Sequence, residues 1–177
     1  ARLATEWFES MLAKTAAEVA DLFGKYRLSE ALMLVYKLFW DEFSSWYLAM
    51  IKPAYGQGIH SSIHSAAISY FDNLLHLLHP FMPFITEELW QQMYEREEGE
   101  SLMVCPLTIN TYVDADTIRQ FEVVKEVISN IRSIRLQKNI AQKEPLTLQV
   151  VGENPVAEFS AVIPVSYTHL RAHETRH

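Results

Sequence analysis

Between Thr5 and Lys138, apolar side chains return every three or four residues through five successive runs. Only helices that each bury one stripe can satisfy that period. The first run, Thr5 to Phe23, carries Phe8, Met11, Leu12, Ala16, Val19, Leu22 and Phe23, and Gly24 suits a left-handed stop. The second runs from Ser29, a capping residue, to Ile51, with Pro53 beyond it. Its expected core face is Ala31, Leu32, Leu34, Val35, Leu38, Phe39, Phe43, Trp46, Tyr47 and Met50, with Lys37, Asp41, Ser44 and Ser45 mainly opposite. A third helix is expected over 61–78 and a short fourth over 84–94, with Pro83 in its first turn, where a missing N–H costs nothing. A fifth is expected over 115–138, and Leu146 to Val151 alternates as a strand does. Residues 99–113 read as irregular, with a short strand possible at Leu102 to Val104. The expected fold is all-α, an up-and-down helical bundle, with a truncated small α/β extension near the C-terminus. The expected divisions are 1–140 for the bundle, 141–163 for the start of the extension and 164–177 for a non-native tail.

Five glycines in 177 residues, none in a Gly-rich phosphate-cradling string, exclude a P-loop. No apolar run reaches membrane-spanning length and no signal peptide opens the chain; with Cys105 alone, a cytoplasmic setting is expected. Fifteen basic residues against 22 acidic ones give a net charge of -7, which does not favour a nucleic-acid partner. The distribution is uneven, however. Six Glu and only Arg96 fall between Glu87 and Glu100, whereas Lys125, Arg132, Arg135, Lys138 and Lys143 face only Glu126 in the following basic stretch. An acidic chain can thus still offer RNA one basic face.

His173-Glu174-Thr175-Arg176-His177 has the H-E-x-x-H spacing of a zinc site. A third ligand is missing, no second Glu-x-x-His completes a di-iron pair, and composition changes abruptly at Pro164. Residues 165–177 resemble a translated sequencing-adapter read-through and are kept out of the fold. His60 with His64, and His76 with His79, lack carboxylate or thiolate companions at ligand spacing, so no metal site and no catalytic residue is assigned. The four tryptophans read as packing residues.

Two longer strings are more specific. Leu-Phe-Trp-Asp-Glu-Phe-Ser-Ser-Trp-Tyr-Leu-Ala-Met-Ile-Lys-Pro spans Leu38 to Pro53, and Leu-Leu-His-Pro-Phe-Met-Pro-Phe-Ile-Thr-Glu-Glu-Leu-Trp spans Leu77 to Trp90. In this order and spacing, with Ile-Ser-Asn-Ile-Arg-Ser-Ile-Arg from Ile128 to Arg135, they resemble the anticodon-binding helical bundle of class I valyl-tRNA synthetases over about residues 1–163. The isoleucine and leucine enzymes share a looser version and stand as the alternative, beside a helical protein–protein interaction module. The resemblance implies a tRNA partner, a valine isoacceptor held on its anticodon side. It also implies a parent enzyme that uses ATP and Mg for aminoacylation. The parent's ATP-handling strings, editing domain and coiled coil are not found here, so no cofactor is expected in this chain. Bases of a single-stranded loop are read by stacking and edge hydrogen bonds, and phosphates by cations. The candidate RNA-binding residues are therefore Lys52, Tyr55, Arg132, Arg135 and Lys138.

Overall fold

A computed structural model of the chain describes residues 2–53, 56–141, 144, 146–150 and 168–172. It has two compact units, Ala1–Asp114 and Ala115–His177. All five expected helices are present.

Helix α1 (Arg2–Gly24) buries Ala4, Trp7, Phe8, Leu12, Thr15 and Val19, one stripe at three- and four-residue steps. Its end differs from expectation. Gly24 remains helical, and the left-handed residue is Tyr26, with φ 58°. The Tyr26 amide donates to the Phe23 carbonyl at 3.0 Å and the Arg27 amide to Leu22 at 2.9 Å. Those two bonds make a Schellman cap, and they set the stop two residues beyond the glycine. A residue with a Cβ in that conformation costs about 1–2 kcal/mol relative to glycine.

Helix α2 (Leu28–Lys37), a π-helical segment (Leu38–Tyr47) and α3 (Leu48–Ile51) follow without a break, since the junction residues all keep right-handed helical angles. Inside the π segment, the Ser44 hydroxyl donates to the Phe39 carbonyl and that of Ser45 to Trp40, each five residues back at 2.9 Å. The wider turn shifts the buried face away from the simple helical period. Leu38, Glu42, Phe43 and Tyr47 are buried, whereas Leu32 and Trp40 are exposed. Trp40, which the expected core face omits, stacks on Tyr36 at 6.4 Å, with the planes 10° apart, on the surface of the helix. The rod stops where Lys52 turns extended before Pro53.

Helix α4 (Ser61–Leu78) is opened by His60, whose ring nitrogen accepts from the Ser62 amide at 3.3 Å. Helix α5 (Pro83–Met93) has its proline at the first position, as expected. The core of this unit is aromatic. Phe8 is fully buried, with its ring 5.0 Å from Tyr47, 5.2 Å from Tyr70 and 5.3 Å from Phe43. Thus α1, the π segment and α4 converge on one side chain. A smaller cluster joins α4 and α5 to the following loop through Leu75, Trp90 and Leu102. Leu102 to Val104 is a turn rather than a strand.

In the second unit, α6 (Ala115–Gln137) buries Phe121, Val124, Ile128 and Ile131, again on the helical period. It ends in a second Schellman cap with Asn139 at φ 52°, a residue type that tolerates this conformation. Strand β1 (Leu146–Val150) lies where the alternation predicts one. Its partner is β2 (Thr168–Ala172), parallel, with Leu146 opposite Thr168 and Val150 opposite Ala172. The sequence reading offers β1 only the short segment Leu102 to Val104 as a partner and keeps residues 164–177 out of the fold. The structure supplies the missing ladder from that stretch. An unpaired edge of N–H and C=O groups accepts any extended backbone, and side-chain pattern is not required of it.

Candidate nucleic-acid interface

The densest basic group lies at the end of α6. Arg132 and Lys138 are exposed there, but the residue between them is not. Arg135 is 5% exposed, and its guanidinium donates to the carbonyls of Ala141 at 2.6 Å and Glu144 at 2.7 Å. Its own carbonyl accepts from the Ile140 amide at 2.9 Å, completing the cap. Arg135 therefore closes the helix end and holds the chain leading to β1. Spacing alone places three cations on one side of a helix; burial of the middle one leaves two facing solvent.

Lys52 is exposed at the end of α3, in the first unit, and Tyr55 lies outside the described residues. Two other cations are committed elsewhere. Lys125 is buried and donates to Glu122 at 2.9 Å, and Arg96 sits 3.5 Å over the Trp90 ring. The hollow lined by Glu6, Glu9, Ser10, Tyr112 and Asp114, about 210 Å³, is acidic and repels phosphate. Sequence reasoning missed a surface aromatic pair, Tyr36 with Trp40, because it takes every tryptophan as a packing residue.

Glu87 organises the loop after α5. One carboxylate oxygen accepts from Gln91 at 2.9 Å; the other accepts from the Ser101 hydroxyl and the Leu102 amide, each at 3.0 Å. Burial pushes this carboxyl up, but those bonds and nearby His79 outweigh burial and hold it below its ordinary value. His79 in turn meets the Thr86 hydroxyl at 2.8 Å. Among the described residues, no group of three His, Cys, Asp or Glu could hold a metal ion. His173 and His177 lie outside the described residues.

The profile of the family described as the anticodon-binding domain of tRNA ligase matches residues 5–151. The chain belongs to that family. It is 78% identical over 165 residues to the valine–tRNA ligase of Bacteroides thetaiotaomicron, covering 92% of this chain and 19% of that protein. Identity is 63% over 163 residues with the Bacteroides fragilis valine–tRNA ligase, again 92% and 19%. The Enterococcus faecalis valine–tRNA ligase is 36% identical over 163 residues, covering 89% of this chain and 18% of that protein. This anticodon-binding domain thus spans about a fifth of the length of the curated relatives it matches. No helix among its described residues is long and apolar enough to cross a membrane.

Proposed function

We propose that this domain holds the anticodon side of a valine tRNA for a valine–tRNA ligase, whose ATP-dependent chemistry is carried by other parts of that enzyme in the cytoplasm. The observation that supports this reading is the match of residues 5–151 to an anticodon-binding domain, together with 36–78% identity to ligases named for valine. Lys52, Arg132 and Lys138 are the proposed phosphate contacts, because all three are cations exposed to solvent. Tyr55 is retained as a proposed stacking residue from its place beside Lys52 in sequence. Arg135 supports the two cations of the second unit by fixing the helix end from which Arg132 and Lys138 project. In this proposal ATP and Mg are used by the other parts of the ligase.

The experiment is a mobility shift at two salt concentrations, with transcripts that carry a valine, an isoleucine or an altered anticodon. Binding should favour the valine anticodon and weaken steeply with salt. Equal affinity for all three transcripts would remove anticodon recognition from this domain. A preference for the isoleucine transcript would assign the domain to the sister enzyme.

A further inference from the structure

At one end of the first unit, the α1–α2 turn and the start of α5 come together, with Phe23 and Phe81 in edge contact at 5.6 Å. Three residues beyond each lies a large aromatic side chain that packs on nothing substantial: Tyr26 and Phe84 are each 90% exposed. Leu28, Met82 and Ile85 are roughly half exposed and widen the apolar surface. Tyr26 is also the left-handed residue of the α1 cap, whereas among the described residues the α6 cap uses asparagine and Gly56 and Gly99 hold the other positive φ angles. A bulky ring in that strained position, pointing away from the core, contributes nothing to the folding of this chain.

The nearest cations are already neutralised. Lys25 bonds Asp21 at 2.6 Å, and the Arg27 guanidinium forks onto the Glu30 carboxylate. Such a rim has little left for phosphate, so its chemistry is that of a protein contact: aromatic and methionine anchors inside, paired charges outside. The matched ligases are about five times as long as the segment they share with this chain. Most of their polypeptide is therefore available to cover this end.

We propose that the surface around Tyr26 and Phe84 docks against another part of the same ligase polypeptide, with both rings entering an apolar recess. The inference stands on family membership and not on RNA contact, so it survives if the proposed anticodon recognition fails. The test places this chain in the Bacteroides thetaiotaomicron ligase in exchange for the matching segment. Hydrogen exchange is then compared between that full-length protein and the chain alone. Residues 23–30 and 80–86 should exchange slowly in the full-length protein and fast in the chain alone, with Leu74 to Leu78 slow in both as the sign of a folded bundle. The pair Tyr26→Gly and Phe84→Ser should restore fast exchange and lower the melting temperature in the full-length protein, without lowering that of the chain alone. The pair Tyr26→Phe and Phe84→Leu should keep exchange slow. Should the chain alone not fold, the two full-length variants decide the matter by the same readout. Fast exchange of both segments in the full-length parent would overturn the proposal. So would loss of tRNA binding by the chain alone carrying the first pair, which would make RNA the occupant. A dimer of the chain alone that the first pair dissolves would make a second copy the occupant, and would overturn it equally.

Discussion

Arg132, Arg135 and Lys138 show how far one residue's role depends on burial. In sequence they are three equivalent cations at regular spacing, yet Arg135 is buried with two carbonyl partners while its neighbours are exposed. Hydrogen bonds from a charged group contribute about 1.5–3 kcal/mol, and removing a buried donor leaves its acceptors unsatisfied. Arg135→Gln should therefore destabilise the second unit by about 2 kcal/mol. It should do so with little change in the salt dependence of RNA binding. Replacing Arg132 and Lys138 by Gln should act chiefly on binding, flattening the salt slope by up to about two units. Urea unfolding and salt-titrated binding of the two sets of variants distinguish these effects. If Arg135→Gln changes only the salt slope, the support role assigned to that side chain is wrong.

At the scale of the element, a carboxylate joins helix and loop. Glu87 on α5 is bonded to Ser101 and to the Leu102 amide, while Leu102 itself packs beside Leu75 and Trp90. Its folded carboxyl lies below the ordinary value of 4.5. The stabilisation from this linkage is therefore complete above that value and is lost as pH falls through the lower folded value. Fluorescence of Trp90 and amide exchange at Leu102 should report opening of the loop in acid, before the aromatic core around Phe8 gives way. Glu87→Gln should remove the acid-dependent step and weaken the loop at neutral pH by about 1 kcal/mol. An unchanged acid transition in that variant would mean that other carboxylates control the loop. The strings that carry the family resemblance, by contrast, were legible because each includes a helix end: Lys52 before Pro53, and Pro83 at the start of α5. The π segment was not legible, because its turn is maintained by the Ser44 and Ser45 bonds to carbonyls five residues back, and serine there reads as ordinary solvent-facing polarity.

At the scale of the whole molecule, the last residues pair with the strand at 146–150. Strand β2 completes the ladder with β1, although its sequence carries none of the signals that mark β1. Deleting 164–177 should leave the melting of the first unit and RNA binding unchanged, because the core around Phe8 lies entirely within Ala1–Asp114. It should also expose the β1 backbone, speeding amide exchange over 146–150 and promoting association between chains. A drop in melting temperature of the aromatic core after this deletion would show that the tail supports the bundle. A zinc-dependent rise in the parent's melting temperature that His173→Ala abolishes would revive the metal reading.

The sequence alone determined the helices, their order and the family, because these rest on local quantities: the spacing of apolar residues, prolines beside helix ends, and two long strings. It did not determine which end of a stripe is closed by which residue. Gly24 is the better left-handed former, but Tyr26 takes the cap because the Leu22 and Phe23 carbonyls receive their bonds there. Nor did it separate Trp7 and Trp90, which are buried, from Trp40, which lies outside on Tyr36. Those outcomes depend on what stands across from each side chain once the chain has folded. Neither the 3.6-residue period nor the charge of one residue contains that information.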